Sequence, residues 1–456
     1  MSYNNKDELQ IETEFSAALN ISDRNSNIDH KNCYKSDDPL YTLWCKKCVP
    51  HYIIEGWTSR NNDIDEFIKD TIYNARLIYD NNIKAKYPLF LEWVPFDRFE
   101  NIKQIGKGGF AKVYSATWID NKVKYFRQND GSWKKGESKP IKVALKKLNE
   151  SQNISVDYLN EIKTLWNIYF NDTTYLRFYG ITKDKNTKEF MMIIQLANQG
   201  NLRCVLSSKF NNILWKYKLL VLHNMIHDIK NLHKLGYFHK DFHSGNILQN
   251  NRITYISDFG LSGPPNEQKS DDKICGVLPY IAPEVLNGEP YTLSSDVYSF
   301  GVVMTELSSG KPPFYSRKHD ISLVLEICNG IRPEFGKGTP EIYKKLAYRC
   351  MNAIPNQRPT ADKLYDILEF WYDEYYQEEK LDYKGKVIRT IFDKADKEIP
   401  NISTSYEKNP YAIYTSRVFT FNNLPKPVNS SSINSYLDEN SEDCQDSKLF
   451  DLEIPN

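Results

Sequence analysis

The sequence lacks a charge bias. Its 456 residues carry 59 basic and 59 acidic side chains, so no global field of either sign draws the chain to nucleic acid. The strongest local exception, the Lys-rich stretch around Lys134, Lys135 and Lys139, is the kind of run that ordinarily forms a solvated loop. A long apolar run is also missing. Leu219 to Leu222 with Met225 and Ile226 is interrupted by His223, Asn224, His227 and Asp228, far short of the roughly 20 apolar residues that cross a bilayer. The opening MSYNNKDELQIETE has neither the basic start nor the apolar core of a secretory signal, so a soluble chain is expected. Cysteines number eight, with one close pair. That excludes the dense disulfide framework of small secreted domains and points to a reducing, cytoplasmic compartment. No internal repeat of solenoid or propeller type is present.

What is there changes in character along the chain. Residues 1–60 are polar and rich in Asn, Asp and Ser, which predicts a loosely ordered segment. Cys33, Cys45 and Cys48 with either His30 or His51 could hold one zinc ion, but a complete ribbon needs two CxxC pairs and one exists, so ordinary thiols remain the alternative. Residues 61–98 read as a helical lead-in that packs on the β-rich part C-terminal to it: Ile64, Phe67, Ile68, Ile72, Ala75 and Ile78 recur at three- and four-residue spacing. Strand-like stretches come next around Ile102 to Ile105, Val113 to Trp118 and Ile141 to Leu145. The polar connection with Asn129, Asp130, Gly131 and Ser132 predicts an extended hairpin. From Ile213 helical patterns dominate to about Trp371. These boundaries give a folded domain over 99–372 and a helical extension over 373–394. The remainder, 395–456, contains runs such as NSSSIN and DENSED and is expected to be disordered.

The chemistry-bearing residues fall inside the folded domain. Gly106-Lys107-Gly108-Gly109-Phe110-Ala111-Lys112-Val113 is a turn whose glycines let backbone N–H groups approach phosphates. A dinucleotide-binding reading would need a helix next, yet Val113 to Trp118 is strand-like and no GK[ST] ending is present. A β-hairpin over a nucleotide fits better. Val143-Ala144-Leu145-Lys146 comes next; by alternation Val143 and Leu145 share one face while Ala144 and Lys146 share the other. Further on stand His239-Lys240-Asp241 with Asn246, then Asp258-Phe259-Gly260, then Ala282-Pro283-Glu284.

In this order the motifs resemble the eukaryotic protein kinase superfamily: a glycine-rich loop, VAIK, HRDxxxxN, DFG and APE. The resemblance covers about residues 99–371 and implies an α+β, bilobal kinase fold, with a small β-rich lobe carrying one key helix and a larger helical lobe. It implies ATP as phosphoryl donor, Mg²⁺ or Mn²⁺ as metal, a protein as substrate, and an upstream kinase or adaptor as regulator. Residue by residue, Lys146 would contact the α and β phosphates and pair with Glu161 in LNEIKTL. Asp241 would orient the attacking hydroxyl, and Asn246 and Asp258 would hold metal. Ile105, Gly106, Lys107, Gly108 and Gly109 would cover the nucleotide. Val113, Ala144 and Leu248 would sandwich adenine, with Ile194 as gatekeeper and Gln195 and Ala197 in the hinge. Asp296, in SDVYSFG, would brace the catalytic loop, and Arg358 would pair with Glu284.

SDVYSFGVVMTEL, IRPEF and AYRCMNAIPNQRP are similar to the tyrosine-kinase-like group, most of whose members phosphorylate Ser or Thr. Several positions depart from the pattern. Lys240 replaces the usual arginine, His243 stands where serine/threonine kinases carry lysine, Val277 replaces a threonine, and Ala111 replaces the third glycine. Between Asp258 and Glu284, 27 residues, the phosphorylatable side chains before Tyr280 are Ser262 and Ser270, which places phosphorylation-switched activation in doubt. A pseudokinase that binds ATP as a scaffold is the alternative, and the intact Lys146, Asp241, Asn246 and Asp258 set speaks against it.

Overall fold

The computed structural model describes Ile53 and residues 56–437, apart from 81–84, 110, 121–124, 128–132, 137–138, 149–150, 152–153, 155, 252, 264–272 and 377–382. Cys33, Cys45 and Cys48, and with them the zinc reading, lie outside the described residues, as does Ser270. The chain divides into two compact units, 1–90 with 123–137, and 91–122 with 138–456.

In the first unit, helix α1 (Asn62–Tyr73) starts where the Asn61 side chain accepts the Ile64 N–H, and it buries Ile64, Ile68 and Ile72. The sequence pattern predicted helix through Ile78. Instead Asn74 caps the helix, and β1 (Arg76–Asp80) and β2 (Ala85–Leu89) form an antiparallel hairpin. The β-forming Leu77, Ile78 and Tyr79 after a stop residue outweigh the helical spacing. Tyr125–Arg127 and Trp133–Lys135 pair antiparallel, as the hairpin reading anticipated.

The second unit has a β-rich part and a helical part. β3 (Glu92–Trp93), β4 (Phe99–Lys107), β5 (Ala111–Trp118), β6 (Ile141–Leu148), β7 (Phe178–Lys183) and β8 (Phe190–Gln195) form one sheet in the order β3-β7-β8-β6-β5-β4. All pairs are antiparallel except β3 with β7. Val143 and Leu145 face a core with Val94, Phe99, Ala116, Trp118, Met191 and Ile193, which turns Ala144 and Lys146 to the opposite face, as alternation predicted. Helix α2 (Val156–Asn171), between β6 and β7 in sequence, carries Glu161.

The helical part contains α3 (Leu202–Lys209), α4 (Trp215–Lys234), the short α5 (Pro283–Leu286), α6 (Leu293–Ser309), α7 (Ile321–Cys328), α8 (Glu341–Cys350), α9 (Ala361–Tyr376) and α10 (Tyr383–Asp396). Two short strands, β9 (Ile247–Asn250) and β10 (Ile253–Ile256), come after the catalytic-loop sequence as a hairpin. Helix α6 is buried almost throughout. Gly301 lets it approach α8: a side-chain carbon there would meet Cys350 and Met351 at 2.8 Å. This is the predicted bilobal α+β arrangement.

The expectation of disorder from 395 onward does not hold for the described part of that stretch. Extended backbone from Ser403 is anchored by Asn409 N–H to Tyr315 O at 2.9 Å and His319 N–H to Tyr411 O at 3.2 Å, with Ala412 buried. β12 (Arg417–Phe419) pairs with β11 (Ile274–Gly276), Val428 N–H donates to Cys328 O at 2.9 Å, and α11 (Ser431–Leu437) buries Ile433. The polar composition of the whole stretch hid a run, Tyr411 to Phe421, rich in aromatic and β-branched residues. It needs no core of its own because it covers one already formed.

Arg358 donates from both terminal nitrogens to the two Glu284 oxygens at 2.7 Å, all of it buried. Arg358→Leu leaves Glu284 as an uncompensated buried charge, and a loss of about 3–5 kcal/mol of stability is expected in denaturant melts. A loss below about 1 kcal/mol would contradict the role of this pair.

Candidate active site

The site is built around one ammonium group. Lys146 Nζ lies 2.5 Å from Glu161 Oε1 and 2.7 Å from Asp258 Oδ1. Burial alone would strip its proton, but the two carboxylates outweigh that and hold the amine well above its ordinary range. Burial pushes the Glu161 carboxyl up while Lys146 pulls it down. Two acids surround one base here, so the cluster has room for more positive charge.

The loop after α4 presents a third acid. Asp296 of α6 accepts the N–H groups of His239 at 2.8 Å and Lys240 at 3.1 Å, bracing the loop as the sequence implied. Lys240 takes a left-handed backbone, φ 65°, under that clamp. His239 is buried, which lowers its pKa, and its ring bridges Ser257 O at 3.1 Å and the Asp241 N–H at 3.3 Å. A neutral ring with Nε2 protonated satisfies both contacts. Asn246 Nδ2 donates to Asp241 O at 3.0 Å.

Burial would raise the Asp241 carboxyl, but the His243 ring at 3.6 Å and the Ser416 hydroxyl hold it at about 2. It is therefore an anion throughout the neutral range. Ser416 Oγ donates to Asp241 Oδ2 at 2.5 Å, and Asp241 Oδ1 has no hydrogen-bond partner among the described residues. Neither Ser416 nor its neighbours entered the sequence reading. The available signal was the alternation of Thr415, Ser416, Arg417, Val418 and Phe419 within a tail judged by its composition.

Asp241 and the Lys146 cluster open into one cleft of about 1590 Å³. Every residue predicted to touch nucleotide lines it: Ile105, Gly106, Lys107, Gly108, Gly109, Val113, Ala144, Lys146, Glu161, Ile194, Gln195, Ala197 and Leu248. Gly108 N–H donates to Ala111 O at 2.8 Å, closing the hairpin between β4 and β5. Ile194 lies opposite Ala144 across the sheet. The cleft exceeds the roughly 300–1,000 Å³ of a small-molecule pocket because it continues past Asp241 into a groove bounded by Lys273, Ile274 and Cys275. Asn246 and Asp258 both offer oxygen ligands, and the Asp258 side chain keeps 43% of its surface exposed. Such a donor pair suits a hard divalent cation that retains other oxygen ligands from water or phosphate.

A family model described as protein tyrosine and serine/threonine kinase matches residues 99–368. The chain belongs to this kinase family. Among curated relatives, a "Probable serine/threonine-protein kinase" of Dictyostelium discoideum is 30% identical over 62% of this chain and 16% of its own length. A "Probable LIM domain-containing serine/threonine-protein kinase" of the same organism is 30% identical over 52% of this chain and 24% of its own. Another Dictyostelium discoideum "Probable serine/threonine-protein kinase" is 28% identical, covering 65% and 30% respectively. The chain thus spans less than a third of the length of these relatives. Members of this family use ATP and a divalent metal and act on proteins. Among the described residues, no helix is long and apolar enough to cross a membrane.

Because the Asp241 pKa is depressed from 3.8 to about 2, it contributes stability that is present above the unfolded value and lost as pH falls through the folded one. His243→Gln removes the ring beside the carboxylate while burial stays. The Asp241 carboxyl is then expected to titrate above the wild-type value of about 2 in carboxyl-carbon NMR. An unmoved titration would assign the depression to other groups.

Proposed function

We propose that the chain is an ATP-dependent protein kinase that transfers the γ-phosphoryl group to serine or threonine hydroxyls of proteins, with Mg²⁺ as the metal. The observation that carries this reading is a complete set of charges in one cleft: Lys146 on Glu161 and Asp258, with the Asp241 anion beside a seated serine hydroxyl. Phosphoryl transfer asks a protein mainly to align and to neutralise. The Lys146 ammonium is placed to meet phosphate oxygens. The Asp241 carboxylate orients the acceptor hydroxyl and takes up its proton as the new P–O bond forms. A divalent cation, when bound at Asn246 and Asp258, supplies neutralisation of the phosphate charge.

Serine or threonine as acceptor is supported by the names of the relatives and by the short side chain that reaches Asp241. A tyrosine hydroxyl would need the acceptor backbone to stand farther back. The tyrosine-kinase-like group is supported by the α6 sequence SDVYSFGVVMTEL. The free thiols Cys204, Cys328 and Cys350 agree with a reducing, cytoplasmic setting.

Purified protein incubated with Mg²⁺, labelled ATP and a generic protein acceptor is expected to place label on Ser or Thr. Asp241→Asn is expected to lower the rate by about 10²–10⁴-fold. Nucleotide binding without transfer by wild type would favour the scaffold reading instead.

A further inference from the structure

The segment C-terminal to α10 runs through the active site, and its course is fixed on both sides of Asp241. Upstream, Tyr414 OH donates to Pro313 O at 2.9 Å, and Arg203 donates to Tyr414 O at 3.2 Å with its guanidinium over the Tyr414 ring at 4.8 Å. Downstream, Arg417, Val418 and Phe419 pair with Gly276, Cys275 and Ile274. Between these anchors Thr415 is exposed and Ser416 is half-buried. Its hydroxyl lies on Asp241 Oδ2 at 2.5 Å. Above it sits the glycine-rich turn, where a side-chain carbon on Gly109 would collide with the Ser416 carbonyl. Ser416 is thus held between the turn suited to phosphates and the carboxylate suited to an acceptor hydroxyl.

An inert plug would do equally well with an apolar side chain here. Val277 is buried and has no hydroxyl to offer Asp241, so among the described residues the hydroxyl on this carboxylate comes from the strap. The pairing with β11 is main-chain recognition of an extended peptide, which fixes register and therefore which residue meets the carboxylate. Ser416 occupies the acceptor place in that register.

We propose that Ser416 is an intramolecular phosphorylation site: residues 411–421 are a built-in substrate strap, and the kinase phosphorylates it in cis before it serves other proteins. This rests on the kinase reading above. In the step, Ser416 Oγ forms a bond to the γ-phosphorus of ATP, the bond from that phosphorus to the β–γ bridging oxygen breaks, and ADP leaves with that electron pair. The hydroxyl proton passes to Asp241 and then to solvent. The product carries about −1.5 to −2 charge against the buried Asp241 anion. Repulsion then drives the strap out of the groove and opens it to external acceptors.

The test uses the full chain with ATP and Mg²⁺ over a wide range of protein concentration, with mass spectrometry of the Ser416 peptide and a generic protein acceptor in parallel. Phosphate on Ser416, at a rate constant independent of protein concentration and absent in Ser416→Ala, is expected. Transfer to the generic acceptor with Ser416 unmodified, or modified in proportion to protein concentration, overturns the proposal and leaves the kinase reading intact. Transfer to neither overturns both. Hydrogen exchange gives a readout free of turnover: those amides of residues 417–419 that face β11 are expected to be protected in the nucleotide-free chain and to lose that protection once Ser416 is phosphorylated. Fast exchange from the outset would show that the strap does not occupy the groove, and would overturn the proposal as well.

Discussion

The buried ammonium of Lys146 ties three parts of the kinase domain to one point. It stands on β6, its partner Glu161 on α2, and its second partner Asp258 at the start of the segment that leads to Glu284. A lysine this deep is stable as a cation only while both acids stay close. The position of α2 against the sheet and the conformation of Asp258, at φ 68°, are therefore coupled to a single charge. Removing either acid leaves an excess of desolvation, so the three elements assemble together or not at all.

A second clamp works on the other side of the cleft. Asp296, buried in α6, accepts two successive backbone N–H groups of the catalytic loop and His233 Nε2 at 3.0 Å. Tyr280, Ser244 and Arg203 converge on Glu306 of the same helix, with Tyr280 OH at 2.5 Å and Ser244 Oγ at 2.8 Å from its oxygens. Helix α6 is thus a rigid spine from which the loop and the floor of the groove are hung.

Much of this was legible because kinase motifs place charged residues at fixed offsets in short segments. Alternation along Val143 to Lys146 identified Lys146 rather than Lys147 as the cleft-facing lysine, and Lys147 instead pairs with Glu189 at 2.6 Å. The Glu284 to Arg358 and Asp296 contacts were likewise anticipated from their motifs. Two features were not legible. The end of α1 depended on whether a run of β-formers after Asn74 would find a strand partner, which local spacing does not reveal. The strap was hidden because composition describes whether a segment can build a core, not whether it can lie on one. Its anchors, Tyr315, His319, Arg203 and β11, are far away in sequence.

The central claim is that the charge cluster at Lys146 exists to receive nucleotide phosphates. It is tested most directly by calorimetric titration of ATP with Mg²⁺ into the nucleotide-free chain carrying Asp241→Asn, which prevents turnover, with and without Lys146→Met. Saturable one-to-one binding that weakens sharply in the Lys146→Met background, while the protein still unfolds cooperatively, is the predicted result. No binding by a cooperatively folded Asp241→Asn chain, or binding indifferent to Lys146, would contradict it.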